Sequence, residues 1–173
     1  MRPPVPGTVR QGGLQLDDHL YRGFTQKTNE QTGETETVYF AGMPEQIEVN
    51  EQLMKLGEHK YNTYCFVCHG LTGNGDGPVN TRAMELASLD SANNNWVTAK
   101  SLHDLIDGEL IYGPARYPDG QMYNTINMGK GNMAGYGHQL TVKERWAIVA
   151  YVRALQLSQV GEKTYTAGMD KKE

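Results

Sequence analysis

Cysteine is scarce in this chain. Only Cys65 and Cys68 occur in 173 residues, so a zinc site would need further cysteines or well-spaced histidines. Long apolar runs are also missing, and no stretch approaches the roughly 18 residues of a membrane span. There is no basic cluster. Formal charge is −4: residues 1–50 hold seven acids against four bases, residues 51–158 ten against nine, and residues 159–173 three against three. That balance argues against a nucleic-acid partner, and no lysine ring is available to steer the protein toward an acidic one. No signal-peptide pattern opens the chain. What is present is 38% hydrophobic and 21% charged residues, the composition of a globular protein with modest core material. Its length suits one domain with some chain to spare. Twenty glycines and ten tyrosines point to a loop-rich fold.

The two cysteines stand in Cys65-Phe66-Val67-Cys68-His69. Cys-x-x-Cys-His is a signature for covalent attachment of a c-type haem. The thiols add to the two vinyl groups on one porphyrin edge, and two intervening residues on a helical turn set the sulfurs at that separation. His69 follows directly, which puts its ring beneath the iron as proximal ligand. A redox dithiol would need a strand before the motif, whereas the preceding residues read as helix. One haem c, held by Cys65 and Cys68, is therefore the expected cofactor. Loops that cannot pack on each other can pack on its flat apolar face. Both cysteines are then committed, leaving none for a disulfide or a lipid anchor. Bacteria attach haem to this motif outside the cytoplasm. The expected location is therefore the periplasmic side of the membrane, peripheral or anchored by an upstream segment, in a chain whose export segment has been removed.

Along the chain, residues 1–50 read as an arm rather than a domain. Arg2-Pro3-Pro4-Val5-Pro6-Gly7 is extended and polyproline-like. Phe24–Lys27 and Thr35–Phe40 flank a polar stretch and predict a small hairpin. The arm is expected to pack on the haem domain or a neighbouring subunit. Residues 51–66 read as a helix with Gly57 in its middle, a residue that costs about 1 kcal/mol relative to alanine and implies close approach of a second helix. That second helix is predicted from Thr141 to about Leu157. Thr141 and Glu144 form its capping box, and Ile148, Tyr151, Val152 and Leu155 form its apolar stripe. Residues 51–158 make up the expected haem domain and 159–173 a tail. Between the two long helices, Gly70–Pro78 reads as a loop passing close to the porphyrin edge, with a carbonyl near Pro78 accepting from His69. Helices are predicted over 81–89 and 101–107, with a turn over Asp90–Asn95. A short helix is predicted to be capped by Asp119 and stopped by Gly129.

The ligand opposite His69 decides between an electron carrier and a reactive haem. A methionine thioether there raises the potential and closes the iron. Met84, Met122, Met128 and Met133 are candidates, with His138 as a nitrogen competitor. Met133 is favoured, because it lies in the glycine-rich loop Gly129–Gly137, and a loop can place a sulfur over iron. Met122 and Met128 fall in or at the end of a helix and are expected to pack as core. His19, His59 and His103 read as surface or satisfied polar groups.

Taken together, the Gly57/Tyr61 helix, Cys65–Gly70, the Met133 loop and Trp146–Leu155 resemble class I cytochrome c over residues 51–158. That resemblance implies a mainly α fold around one covalently bound haem. It also implies that the first and last helices cross with Gly57 and Tyr61 against Ile148 and Tyr151. Ala134 stands where that family usually has proline. Both chain ends, Arg2–Val9 and Arg145–Gln159, are similar to the mono-haem cytochrome c subunit of bacterial alternative complex III. This narrower resemblance implies a one-electron carrier, not an enzyme in its own right. Its partners would be multihaem and other subunits of a membrane respiratory complex, and a terminal oxidase or soluble carrier. A free periplasmic shuttle is the alternative. A haem enzyme or gas sensor with an open sixth position is a different class, and a mainly structural subunit whose haem is incidental is a third.

Overall fold

The structure, a computed structural model, describes Gly7, residues 15–89 and residues 95–161. Residues 2–6 of the polyproline-like segment, residues 90–94 of the expected turn and the tail beyond Gly161 lie outside the described residues. The described part is mainly helical with an N-terminal β-hairpin. Its elements are α1 (Asp18–Arg22), β1 (Phe24–Thr28), β2 (Thr35–Tyr39), α2 (Glu51–Tyr64), α3 (Phe66–His69), α4 (Pro78–Leu89), β3 (Leu105–Ile106), β4 (Glu109–Leu110), α5 (Asp119–Met128), β5 (Gly129–Lys130), β6 (Met133–Ala134) and α6 (Val142–Val160).

α2 and α6 form the frame. Asn50 opens α2 by accepting a hydrogen bond from the Leu53 amide at 3.0 Å, and the helix buries Leu53, Gly57 and Tyr61, one turn apart on a single face. The capping box of α6 is formed. The Glu144 amide donates to Thr141 Oγ1 at 3.3 Å, and the Thr141 amide donates to Glu144 Oε2 at 2.7 Å. α6 runs three residues past the expected end, to Val160, and Gly161 stops it with φ of 75°. The predicted apolar stripe is an underestimate. Residues 145–150 are all buried, because neighbours cover this stretch of the helix all round.

The two helices meet at Gly57. A Cβ there would overlap the Ala147 carbonyl oxygen and lie 3.0 Å from Tyr151 Cβ. Glycine therefore gives up helix propensity so that backbone can touch backbone. Tyr61 packs on Tyr151 with ring centroids 5.3 Å apart and shares one core cluster with Ile148. The backbone partner of Gly57 is thus Ala147, the residue before the expected Ile148. Lys60 Nζ lies 2.7 Å from Glu144 Oε1, pinning the α6 cap to α2.

Three local expectations are corrected. Residues 101–107 form no helix. Asp107 and Gly108, with φ of 54° and 78°, make a two-residue hairpin turn joining β3 to β4. Ser101 accepts from the His103 amide at 3.3 Å, a local serine turn rather than a helix cap. α4 begins three residues earlier than expected, since Pro78 is suited to a first helical position. Asp119 is the first residue of α5, not its cap, and its buried carboxylate accepts from Arg153 Nε at 2.6 Å.

The predicted hairpin forms antiparallel with Phe24 opposite Tyr39 and Thr28 opposite Thr35. The segment around it is fastened to α5 and α6. His19 stacks on Phe40 at 4.4 Å, Trp146 Nε1 donates to the Leu20 carbonyl at 2.8 Å, and the Gly120 amide donates to the Phe40 carbonyl at 3.0 Å. Gly23 and Gly120 approach so closely that a Cβ on either would overlap the other's carbonyl oxygen. Tyr123 stacks on Trp146 at 4.4 Å beneath this segment, both fully buried. Among the described residues, no helix is long and apolar enough to cross a membrane.

Two outcomes follow for stability. Gly57→Ala introduces a methyl into the Ala147 carbonyl, so it should destabilise by about 1–3 kcal/mol despite alanine's better helix propensity. Thermal melting followed by circular dichroism checks this, and an unchanged or raised midpoint would contradict the crossing. The hydrogen bond from Lys60 holds the Glu144 carboxyl below its ordinary value near 4.5. Its stabilisation is therefore complete above that value and is lost as pH falls through the depressed folded one. Urea midpoints measured from pH 6 downward should fall less steeply in Glu144→Gln than in the parent chain.

Candidate functional site

α2 delivers the motif. The Cys65 amide closes the last turn of α2 by donating to the Tyr61 carbonyl at 2.8 Å, and Cys65 also caps α3. The amides of Cys68 and His69 donate to the Cys65 carbonyl at 3.1 and 2.9 Å. Cys65, Cys68 and His69 thus share one helical turn, with the two thiols three residues apart on one side. The single helix expected over 51–66 is two helices meeting at Cys65.

The surroundings of the thiols decide what they suit. Burial pushes the Cys65 thiol up to about 12, and burial also raises Cys68. A redox dithiol needs the reverse, a thiolate stabilised near neutrality. Among the described residues, no set of three or more histidine, cysteine or acidic side chains is arranged to hold a metal ion. Two free thiols beside an imidazole suit covalent attachment of a macrocycle better than either alternative.

His69 supplies the most direct observation. Its Nδ1 is buried and has no hydrogen-bond partner. Burial lowers the pKa of the ring, while the Lys100 backbone favours the protonated form. The backbone group that acts on the ring therefore comes from Lys100 and not from near Pro78. A half-buried imidazole whose pKa is lowered toward the neutral form, with the Lys100 backbone acting on its ring, is compatible with metal ligation. The residues present fit a c-type haem.

The glycine loop after the motif has a clearer cause than the sequence suggested. A Cβ at Gly77 would lie 2.6 Å from the main-chain carbons of Val67 and Cys68, and one at Gly75 would meet the Ala99 carbonyl oxygen at 2.5 Å. These glycines let the loop lie between the motif's own backbone and residues 99–101. The Gly75 amide donates to the His69 carbonyl at 2.8 Å, and Tyr61 Oη donates to the Gly70 carbonyl at 2.8 Å. Asn80, fully buried, locks the arrangement. Its Nδ2 donates to the Gly75 carbonyl at 2.6 Å, while its Oδ1 accepts from Trp96 Nε1 at 2.9 Å and the Ala99 amide at 3.0 Å.

Of the candidates for the opposite ligand, Met133 is half-buried against the core cluster that contains Cys65. Met122 is buried in that same cluster, as expected of a core residue. Met128 is 71% exposed and does not pack as core, because α5 ends there with its side chain outward. Met84 is exposed, with its sulfur 3.7 Å from Asn80 Nδ2, and His138 is exposed. The segment expected to be a flexible loop is a tight hairpin, with Lys130 paired to Met133 across Gly131 and Asn132. His19 and His103 are satisfied by the Gly42 and Thr72 carbonyls at 3.1 and 3.2 Å.

Several residues at this site were not legible beforehand. Tyr136, three residues after Met133, packs against Tyr64 at 5.8 Å and reaches its carbonyl at 3.4 Å. Burial raises its pKa, Cys65 and Cys68 add to that rise, and the ring packs against the core cluster that contains Cys65. A tyrosine between two glycines was the only signal. Asn80, Arg145 and Arg153 carried none, since polar residues within helices usually face water.

Residues 52–152 match the family described as cytochrome C oxidase, cbb3-type, subunit III. Among solved structures, the chain is similar to a Kuenenia stuttgartiensis reducing HAO-like protein complex. That match has 21% identity and a TM-score of 0.48, and covers 72% of this chain and 52% of that one. It is also similar to cytochrome CL from the marine methylotrophic bacterium Methylophaga aminisulfidivorans, at 21% identity and TM-score 0.42, covering 71% and 74%. A third likeness is to the KustC0563 c-type cytochrome, at 25% identity and TM-score 0.40, covering 58% and 96%. The chain spans about half the length of the first of these. No curated protein matches it. The family match takes in nearly all of α2, the Cys65–His69 turn, Met133 and the first part of α6, which is more than half of the chain, and the protein belongs to the family described as cytochrome C oxidase, cbb3-type, subunit III.

Proposed function

We propose that this protein is a one-electron carrier of a bacterial respiratory chain, a mono-haem cytochrome c with the class I arrangement. Cys65 and Cys68 hold the haem, and His69 and Met133 ligate its iron. The observation that carries the reading is the single turn bearing Cys65, Cys68 and the half-buried imidazole of His69, whose buried Nδ1 has no hydrogen-bond partner. A bound haem would supply the Fe(III)/Fe(II) couple. The chain's own part is to hold both ligands so that little rearranges when the charge changes. The His69 side is packed by Gly75, Gly77 and Asn80, and the Met133 side by Tyr136 against Tyr64. On this reading residues 51–158 are the electron-transfer domain and residues 1–50 are an arm that lies against it, with 159–173 as a tail.

The proposed setting is the periplasmic face of the cytoplasmic membrane. There the protein would take electrons from multihaem or other subunits of a quinol-oxidising alternative complex III. It would pass them to a terminal oxidase or a soluble carrier. The similarity of both chain ends supports the first complex. Membership in a family named for an oxidase subunit supports an oxidase as the acceptor. Nearly balanced charge over residues 51–158 suits docking by apolar contact rather than by long-range steering.

Ferric protein carrying the haem should show the weak long-wavelength sulfur-to-iron absorption band, and ferrous protein should bind carbon monoxide poorly. Absence of the band together with ready binding of carbon monoxide would mean an open haem and would sink the closed-carrier reading. Met133→Ala should abolish the band, whereas its survival would move the ligand to another side chain. For the setting, affinity purification from a native membrane extract should bring down a multihaem assembly. Recovery of the protein alone would favour the free shuttle.

A further inference from the structure

Arg145 is a buried cation with an unusual set of partners. It is 6% exposed, yet among the described residues no carboxylate pairs with it. Its Nη1 donates to the carbonyls of Leu140 at 2.6 Å and Gly137 at 3.2 Å, and its Nη2 donates to Tyr123 Oη at 2.8 Å. The guanidinium lies 5.1 Å from the centre of the Tyr123 ring, and Nε has no partner. Burying a cation against neutral acceptors alone is costly, and an apolar residue would fill the space more cheaply. What the charge obtains in return is a grip on backbone. Leu140 and Gly137 bracket the turn in which the Gln139 and Leu140 amides donate to the Tyr136 carbonyl at 3.1 and 3.0 Å.

That turn is the downstream end of the segment carrying Met133. Upstream, Gly129 leaves α5 with φ of 83°, and β5 and β6 pair through only two residues each. No proline follows Met133, and Gly135, which has no Cβ, lies where one would come within 2.7 Å of the Asn127 carbonyl oxygen. The segment is held by the Tyr136 amide on the Ile126 carbonyl at 2.8 Å, the Gly137 amide on the Asn127 carbonyl at 3.1 Å, and the Arg145 fork. Of these, only Arg145 ties the segment to α6, the helix that crosses α2 just below the motif.

We infer that Arg145 is a positioning residue for Met133. Its fork fixes residues 137–140 to α6 and so keeps the Met133 sulfur presented to the iron. The inference rests on Met133 as the opposite ligand and adds what holds that ligand in place. Guanidinium is needed because one planar group must span two carbonyls and a phenol, which a lysine ammonium does not do. Tyr123 completes the fork, and its stacking on Trp146 fixes where that hydroxyl lies.

The test is imidazole binding to the ferric protein with its haem attached, followed by absorbance, in the parent chain, Arg145→Lys, Tyr123→Phe, Met133→Ala and the double variant Arg145→Lys/Met133→Ala. Imidazole must displace the sulfur, so its apparent affinity reads how often the sulfur is away. Arg145→Lys should bind imidazole roughly tenfold more tightly, and Tyr123→Phe about two- to threefold. With Met133 already removed, Arg145→Lys should change the affinity by less than about twofold, because no sulfur is left to position. Equal affinity in the parent chain, Arg145→Lys and Tyr123→Phe would overturn the inference. So would an unchanged tenfold gain in the Met133→Ala background, which would mean that Arg145 shapes the pocket and not the ligand. If Arg145→Lys does not accumulate, Tyr123→Phe alone decides, since it removes one hydroxyl and keeps the stack. Retention of the sulfur-to-iron band in Met133→Ala is a separate result. It would refute Met133 as ligand, and the positioning role with it.

Discussion

The backbone contact between Gly57 and Ala147 is the constraint on which the rest of this structure depends. It brings α2 and α6 within touching distance, and no side chain larger than hydrogen is compatible with it. Once α6 is held there, it serves as a spine to which separate stretches of irregular chain are fastened. Arg145 holds residues 137–140, Trp146 holds Leu20, and Arg153 with Gln156 holds residues 102–119. Each anchor is a polar group on a buried helix reaching main-chain carbonyls. That is how a chain with twenty glycines and little regular structure between its helices keeps one shape.

Arg153 shows why this works energetically. Its guanidinium is buried but saturated, donating to Asp119 at 2.6 Å, Tyr112 at 2.6 Å, Gln156 at 2.8 Å and the Tyr117 carbonyl. Gln156 extends the network to the Leu102 and Tyr112 carbonyls at 2.7 and 2.9 Å. A buried ion pair adds little net stability by itself, yet removing one member leaves the other charged and unpaired. The network therefore stabilises a particular path for residues 102–119 more than it stabilises the fold as such. Loops that would otherwise leave buried carbonyls unsatisfied have their acceptors met by α6.

What could be read from the sequence follows from how local each signal is. The Cys65–His69 turn, the Thr141/Glu144 capping box, the hairpin from Phe24 to Tyr39 and the close approach at Gly57 are set by neighbours within a few residues, or by one residue type with one physical use. The β3–β4 hairpin was missed because Leu102, Leu105 and Ile106 mimic helical spacing, whereas the Asp107-Gly108 turn overrides it. Asp119 looked like a cap because aspartate before a helix usually is one. Its partner Arg153 lies 34 positions away and could not be seen from either end. Asn80, Arg145 and Tyr136 were illegible for the same reason. Each is defined by carbonyls that only the fold assembles.

The two sides of the site are secured by different mixtures of restraint. On the His69 side the restraint is steric. Gly75 and Gly77 press the loop against motif backbone, and Asn80 uses both donor and acceptor atoms to lock it, so this side has no slack to give. On the Met133 side glycines also allow close contact, since a Cβ at Gly135 or Gly137 would meet Asn127 oxygens at 2.7 or 2.6 Å, but a short hairpin, one tyrosine and a buried guanidinium share the restraint. A short, partly exposed hairpin can open locally at lower cost than a loop locked by a fully buried side chain such as Asn80. On the proposed haem reading, any exchange of an iron ligand belongs on the Met133 side. Covalent attachment as proposed would add to that asymmetry, because a ligand adjacent in sequence to its own attachment cysteine cannot move without the helix that carries both.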